Sequence, residues 1–97
     1  MRIIALKTIK DFWKKHSDSE QQLKAWYDEV IKSEWNKFDD ILKDFPNARI
    51  IKNNRIIFNI KGNNYRLIVA VKFEFKIVYI RFIGTHAQYN KIKAEEI

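Results

Sequence analysis

The fold is decided by residues 55–83, which read RIIFNIKGNNYRLIVAVKFEFKIVYIRFI. Ile, Val, Phe and Tyr predominate, and apolar and polar side chains alternate with a period of two, which is typical of β-strands. We predict strands at Arg55–Lys61, Tyr65–Phe73 and Lys76–Ile83. Lys61–Asn64 tolerates positive φ and predicts a tight turn, and Phe73–Lys76 is too short to be anything but a second one. Three consecutive strands with short turns form an antiparallel meander.

The two faces of this predicted sheet differ in polarity. If both turns contain an even number of residues, side-chain parity carries from strand to strand, and one face is almost purely apolar. It comprises Ile56, Phe58, Ile60, Tyr65, Leu67, Val69, Val71, Phe73, Val78, Ile80 and Phe82. The other face holds Arg55, Ile57, Asn59, Arg66, Ile68, Ala70, Lys72, Tyr79 and Arg81. A one-residue slip would bury arginines at a large free-energy cost, so the pattern itself determines parity. We expect Arg66 and Arg81 on the open face, diagonally close enough to bind one anion.

The first half of the chain carries helical patterns that would cover the apolar face. Arg2–Leu6 predicts a strand, and Thr8 can cap a helix. A capping-box pattern, Ser17 with Glu20 or Ser19 with Gln22, opens a second helix, and a third ends at Pro46. Their apolar stripes follow the i, i+3, i+4 spacing: Ile9, Phe12, Trp13; Leu23, Trp26, Tyr27, Val30, Ile31; and Phe38, Ile41, Leu42, Phe45. We predict one α+β domain over residues 1–97, with an N-terminal strand and two to three helices on one face of an antiparallel meander sheet, and a short C-terminal helix.

Composition narrows the location and the chemistry. The chain has no cysteine, which excludes disulfides and thiolate metal sites and favours a reducing cytoplasm. The early apolar run Ile3–Leu6 is too short for a signal peptide or a membrane span, so we expect no membrane contact. The two histidines lie far apart and supply no metal-ligand spacing, and neither a glycine-rich phosphate loop nor a GxSxG elbow occurs. We therefore expect no metal and no cofactor.

The net charge of +7 is unevenly distributed along the chain. Residues 1–48 carry nine Lys/Arg and nine Asp/Glu, whereas residues 49–97 carry ten Lys/Arg and three Asp/Glu. Between Arg49 and Lys93 the only acid is Glu74. Lysines can simply keep a sheet edge soluble. A concentration of positive charge on one part of a domain more often attracts a polyanion, whose phosphates then account for most of the binding affinity. The charge pattern therefore favours a nucleic-acid partner.

The candidate catalytic residues meet where the last strand ends. Thr85-His86-Ala87-Gln88 is a capping box, so His86 begins a helix in which Tyr89 and Asn90 lie one turn further on. The free N–H groups and the dipole of a helix start favour an anion and a neutral imidazole, which is what a general base requires. Taken singly, His86 is better explained as a first-turn helix residue and Tyr89 as a residue that packs against the sheet. Together with Arg66 and Arg81 they predict a phosphodiester site.

Six weaker candidates could contact RNA around this site. They are Arg55, Asn59, Lys61, Asn63, Lys72 and Lys91. Isolated strand lysines are usually solvated charges, and the asparagines can simply shape the turn. The remaining histidine, His16, follows Lys14 and Lys15 at a helix end and is interpreted as a favourable C-terminal charge.

Two motifs in this region resemble those of a known family. Residues 58–67 carry the pattern F-N-x-x-G-N-x-x-R, and residues 81–89 carry R-x-x-x-T-H-x-x-Y. Both motifs resemble those of the HigB toxins of bacterial type II toxin–antitoxin systems. The HigB toxins belong to the wider RelE/ParE superfamily. Length, element order and basic character agree with that family over nearly the whole chain, while the specific motifs cover residues 58–89.

The resemblance implies an mRNA interferase with a RelE-like fold that enters the ribosomal A site and cuts translated mRNA. It implies inhibition by a HigA-type helix-turn-helix antitoxin, which also binds operator DNA. The toxin itself would contact operator DNA only indirectly, as part of the complex with the antitoxin. Arg66 and Arg81 match the arginines that hold the scissile phosphate, and His86 and Tyr89 match the polar residues at the start of the last helix. Two alternatives stay open: a ParE-like toxin that poisons gyrase, and a non-catalytic nucleic-acid-binding module.

Overall fold

The predicted meander forms the centre of a five-stranded mixed sheet in the computed structural model, which describes residues 1–97. The strands are β1 (Arg2–Ile4), β2 (Arg49–Ile51), β3 (Arg55–Ile60), β4 (Tyr65–Lys72) and β5 (Ile77–Thr85), in the order β1-β5-β4-β3-β2. β1 pairs with β5 in parallel, and all other pairs are antiparallel. The sequence did not predict β2, because three residues are too short a run to show alternation.

Four helices complete the predicted α+β arrangement. They are α1 (Leu6–Lys15), α2 (Glu20–Lys32), α3 (Phe38–Asp44) and α4 (His86–Tyr89). The predicted capping box at the start of α2 is wrong. Ser19 lies in a 3-10 turn over Ser17–Ser19, and its hydroxyl donates back to the carbonyl of His16 at 2.6 Å. None of the helices is both long enough and apolar enough to cross a bilayer.

The helices α1, α2 and α3 cover the predicted apolar face of the sheet. The main core joins side chains from both layers: Met1, Ile9, Leu23, Trp26, Val30, Trp35, Ile41, Ile56, Phe58, Ile60, Tyr65, Leu67, Val69, Val71, Val78 and Ile80. Nearly all the strand positions assigned to this face from the sequence are present. Parity is therefore carried correctly through β3, through β4 and through the start of β5.

A β-bulge in β5 breaks the parity at Arg81. Val69 pairs with Ile80, and the residue before it on β4, Ile68, pairs with Phe82. Arg81 therefore has no partner across the ladder. A bulge adds one residue to one strand, and every following side chain changes face. The prediction for Phe82 is therefore wrong: it packs on the second face, and Ile83 takes the place against the main core.

The second face is not open over its whole length, which corrects the prediction for its centre. The chain after α4 folds back over it and forms a second small core of Ile57, Ile68 and Ala94, flanked by Ile51, Phe82, Tyr89, Ile92 and Ile97. Arg55 fixes this segment through Nε and Nη2, which both donate to the carbonyl oxygen of Ile97. Asn53 donates to the carbonyl of Glu95 at 2.8 Å. On this face Asn59, Lys72 and Arg81 remain exposed, whereas Arg66 is only 9% exposed.

Gly84 provides space that the second core requires. A Cβ at this position would lie 2.6 Å from Phe82 Cζ and 2.7 Å from Gln88 Oε1. We expect Gly84→Ala to lower the free energy of unfolding by about 1–3 kcal/mol, because the Phe82 ring has to leave its packed position. Chemical denaturation of the variant measures the loss. If the clash with Phe82 is the cause, Phe82→Leu combined with Gly84→Ala loses less stability than the sum of the single variants. Strict additivity would contradict this explanation.

Candidate active site

Arg66 is fixed by the β3–β4 turn at the end of the second face that lies beside Asn59. It lies directly between Asn59 on β3 and Gly84 on β5 in the sheet register. Its Nη1 donates to the carbonyl of Asn63 at 2.9 Å and to that of Tyr65 at 3.4 Å. The residue is only 9% exposed, yet Nε and Nη2 take part in none of the hydrogen bonds of the protein. The guanidinium is therefore rigid and keeps free donors, which suits a bidentate contact with a phosphate.

The junction between β5 and α4 contains the capping box that the sequence predicts. Gln88 N–H donates to Thr85 Oγ1 at 3.2 Å, and Thr85 N–H donates to Gln88 Oε1 at 2.8 Å. The backbone N–H of His86 donates to the carbonyl of Asn64 at 3.2 Å. The β3–β4 turn thus holds both halves of the corner, since Asn63 orients Arg66 and Asn64 fixes the start of α4.

Tyr89 connects the arginine with the histidine. Its ring centroid lies 5.6 Å from Arg66 Cζ, within cation–π range, and 6.3 Å from the imidazole centroid of His86. His86 is exposed, and its Nδ1 lies 3.1 Å from Nδ2 of Asn90. Arg66, Tyr89, His86 and Asn90 therefore form one continuous cluster, which we call the corner cluster.

The expected contribution of the helix start is smaller than the sequence suggested. α4 contains four residues, so its dipole carries little charge. The N–H groups of His86 and Gln88 are not free, because they donate to Asn64 and Thr85. Anion binding at this corner has to depend on side chains, above all on Arg66.

The bulge places Arg81 one residue further along β5 from Arg66 than the predicted diagonal position. Arg66 pairs with Gly84, three residues beyond Arg81, which is roughly 10 Å along the strand. Arg81 lies on the same side of the sheet as Arg55, as the sequence predicts. Burial, and after it the positive charge of Arg81, lowers the pKa of Arg55 below its ordinary value. Arg81 itself is exposed and makes no hydrogen bond or salt bridge within the protein.

The six weaker candidates divide into two groups. Asn59, Lys61, Asn63 and Lys91 are exposed and lie beside the corner cluster, on the neighbouring strand, on the β3–β4 turn or just after α4. Lys72 ends β4 six residues from Arg66, roughly 20 Å away along the strand. Arg55 is half-buried, and its guanidinium holds Ile97.

No carboxylate neutralises the basic half of the chain. The two salt bridges of the protein, Lys7–Asp11 and Lys24–Glu20, both lie within the first 24 residues. The positive charges of the ten Lys/Arg in residues 49–97 are therefore not neutralised by salt bridges within the protein. Their electrostatic field attracts an anion toward the corner cluster. No group of three or more His, Cys, Asp or Glu side chains could hold a metal ion.

On the opposite side of the sheet, Tyr65 and His16 support the same turn. The hydroxyl of Tyr65 donates to Asp18 Oδ1 at 2.7 Å, and this hydrogen bond raises the pKa of Tyr65 above its ordinary value. His16 lies between the rings of Phe12 and Tyr65 at centroid distances of 4.3 and 5.3 Å. This histidine thus packs among aromatic rings, away from the corner cluster, in addition to ending α1.

Comparison with known proteins places the chain in a family. The model of the HigB toxins, described as the RelE-like toxic component of a toxin–antitoxin system, matches residues 19–92. The chain belongs to the HigB toxin family. It is 29% identical over 92 residues to the mRNA interferase toxin HigB of Escherichia coli K12, covering 93% of this chain and 88% of the relative. The mRNA interferase HigB of Escherichia coli O6:H1 is 24% identical over 94 residues, covering 95% and 91%.

Two features of this HigB toxin site were not predicted from the sequence. Asn90 was placed one turn beyond His86, but no role followed from that spacing until the contact with Nδ1 was visible. Gln22 was considered only for a capping box. In the structure its amide accepts from the N–H of Lys61 and donates to the carbonyl of Asn59, so α2 supports the turn that orients Arg66. Such a contact between distant segments leaves no local signal in the sequence.

Proposed function

We propose that this toxin is an mRNA interferase, an endoribonuclease that cleaves translated mRNA by internal attack of the 2′-hydroxyl on the adjacent phosphorus. The P–O5′ bond breaks as the O2′–P bond forms, which leaves a 2′,3′-cyclic phosphate and a 5′-hydroxyl. A base has to remove the 2′ proton, an acid has to protonate O5′, and cations have to stabilise the added negative charge. The single observation that carries the proposal is the corner cluster, which joins a fixed guanidinium to an exposed imidazole through one tyrosine.

Arg66 takes the role of transition-state stabiliser in this proposal. Its Nε and Nη2 donate to the non-bridging oxygens of the scissile phosphate, while Nη1 stays bonded to Asn63. Because the turn and Tyr89 already hold the side chain, little rearrangement is needed when charge develops on the phosphorane. Arg81, further along β5, binds a neighbouring phosphate of the same strand, where its exposed side chain reaches outward.

His86 moves a proton, and Asn90 orients it. The amide of Asn90 can present its NH₂ to Nδ1 and, turned over, its oxygen, so it can support either tautomer of the imidazole. In each case Nε2 is directed to the substrate, as a donor in the first case and as an acceptor in the second. Tyr89 keeps imidazole and guanidinium in place, and the exposed part of its ring offers a surface for base stacking.

The surrounding basic residues hold the rest of the RNA strand. Lys61, Lys91, Asn59 and Asn63 contact the backbone beside the scissile phosphate, and Lys72 and Arg55 extend the positive field toward the far end of the sheet. Such contacts dominate affinity and make it depend on salt. The substrate is mRNA presented in the ribosomal A site, which places the toxin in the cytoplasm.

Inhibition of the toxin requires a dedicated partner, since a free mRNA interferase stops growth. The family is the toxic component of toxin–antitoxin systems, so the partner we expect is an antitoxin. We propose a HigA-type helix-turn-helix antitoxin, which also carries the toxin to operator DNA as part of a repressor complex.

Primer extension on mRNA from cells that express the toxin tests this function. Wild type is expected to produce new 5′ ends inside translated frames, and the variant Arg66→Ala/His86→Ala is expected to produce none. Arg49→Ala serves as the control, because Arg49 is an exposed arginine on the edge strand β2, away from the corner cluster. Intact message in growth-arrested cells, together with inhibited gyrase, would instead assign the ParE-like activity. Intact message without gyrase inhibition would leave a binding module.

A further inference from the structure

A groove of about 490 Å³ lies between α2, the connection from α3 to β2, and β3. Its floor is aromatic: Phe58 makes edge-to-face contacts with Trp26 and with Phe45, at centroid distances of 5.5 and 5.1 Å. Ala25 forms part of its wall and leaves it wide. The volume falls in the range of sites that bind a few apolar side chains or a small ligand. The corner cluster contributes no residue to this groove.

Trp26, which lines the groove, carries a buried hydrogen-bond donor without a partner in the protein. The residue is 3% exposed, and its indole Nε1 is a buried donor without an acceptor, the only such side-chain atom in the protein. Buried indole N–H groups are normally paired, because leaving one unpaired costs about 1–3 kcal/mol. Because Nε1 is buried, the carbonyl oxygen of a segment seated in the groove would reach it only after a local shift of the indole or its neighbours.

The charge of the groove lining is opposite in sign to the net charge of the whole chain. The chain carries 19 Lys/Arg against 12 Asp/Glu, yet the lining contains no lysine and no arginine, only Glu29 and Asp44. Asp44 Oδ2 accepts from Trp35 Nε1 at 2.9 Å, whereas the carboxylate of Glu29 has no partner in the protein. An acidic rim around an apolar floor repels RNA and attracts a positively charged polypeptide.

The groove is connected to the corner cluster through two of its own residues. Asn59 lines the groove and pairs directly with Arg66 across the sheet. Gln22 also lines it and holds the backbone N–H of Lys61 in the β3–β4 turn. A molecule in the groove would therefore contact the supports of Arg66 while leaving the guanidinium itself free.

We propose that the groove binds a segment of the antitoxin, one that presents an apolar anchor flanked by lysine or arginine. This rests on the proposed function, since it assigns a docking surface to the antitoxin that function requires. The anchor packs on Phe58 and Phe45, a backbone carbonyl accepts from Trp26 Nε1, and a flanking cation pairs with Glu29. The segment acts at the back of the sheet, so the antitoxin holds the toxin without filling the RNA site.

Calorimetric titration with the purified full-length antitoxin encoded beside the toxin gene tests the proposal. Ala25→Trp fills the groove without a change in charge, and Glu29→Lys reverses the charge of its rim. Each is expected to weaken binding at least tenfold. Asp28→Trp and Asp28→Lys are matched controls, because Asp28 is exposed on α2 but does not line the groove, and they are expected to stay within about twofold of wild type. The free variants should cleave RNA at the wild-type rate, which separates this test from the test of function.

Four outcomes would overturn the proposal. The first is unchanged affinity of Ala25→Trp and Glu29→Lys for the antitoxin, and the second is no binding by a wild-type toxin that cleaves RNA. The third is weaker binding of a single-stranded RNA oligonucleotide by Ala25→Trp, which would assign the groove to RNA. The fourth is a wild-type dimer in sedimentation that Ala25→Trp dissociates, which would assign it to a second copy of this chain. A shift of the Trp26 indole N–H resonance on antitoxin binding, assigned with Trp26→Phe, would support the hydrogen bond.

Discussion

Arg66→Ala is expected to lower the rate of RNA cleavage by roughly 100- to 1,000-fold, the loss that follows when one fixed donor is removed from a transition-state site. The other arginine assigned to RNA binding, Arg81, lies three residues before Gly84, the residue of β5 that pairs with Arg66. The lysines nearby sit on flexible, exposed side chains. The effect should fall on the chemical step, so single-turnover cleavage of ribosome-bound mRNA is the appropriate measurement.

The fold should survive this substitution. The carbonyl of Asn63 loses a donor at the exposed turn, where water can replace it, and the carbonyl of Tyr65 loses a longer, buried contact of 3.4 Å. We expect a stability loss of about 1 kcal/mol, the net value of an ordinary hydrogen bond. Denaturation curves of wild type and variant check this, so that lost activity is not confused with unfolding.

A conservative variant separates charge from geometry. Arg66→Lys retains the positive charge but loses the planar fork and the contact with Tyr89. If bidentate binding matters, it should recover only a small part of the lost rate. Arg49→Ala, an exposed arginine on the edge strand, should cleave as wild type. Full activity of Arg66→Ala would remove Arg66 from the mechanism.

The sequence predicts most of this fold because two-residue alternation is a strong local signal. The apolar positions of β3 and β4 are read correctly, and the capping box of Thr85 and Gln88 is confirmed together with the helix it opens. A bulge has no such signal, since any residue can be the extra one in a ladder. The spacing between Arg66 and Arg81 along the ladder therefore could not be derived, and neither could the change of face at Phe82.

The covering of the second face also depends on contacts that the sequence does not display. Ile92, Ala94 and Ile97 are too sparse to form a periodic pattern, and only the folded chain shows that they pack over Ile57 and Ile68. Burial of those strand residues removes the middle of the expected open face. What remains is a site at one end of the sheet, defined by the turn that holds Arg66.

His86→Ala is expected to lower the cleavage rate by roughly 100- to 10,000-fold, the usual contribution of a positioned acid or base. His86 is exposed and is the only histidine of the corner cluster, because His16 packs between Phe12 and Tyr65 on the other side of the sheet. Asn90→Ala should cause a smaller loss, about tenfold, because it removes the orientation of the ring but leaves the ring in place. Stability of both variants should stay close to wild type, since both side chains are exposed.

A substrate with sulfur in place of the leaving O5′ decides which proton His86 moves. A thiolate leaves readily without protonation, so loss of an acid hardly affects cleavage of that substrate, whereas loss of a base still slows it. If His86 is the acid, His86→Ala regains most of the wild-type rate on the sulfur substrate and Arg66→Ala does not. If it is the base, both variants stay slow on both substrates. A His86→Ala variant that cleaves the ordinary substrate as fast as wild type would exclude the imidazole from catalysis. In that case Tyr89 or Lys61 would have to act as the general acid or base.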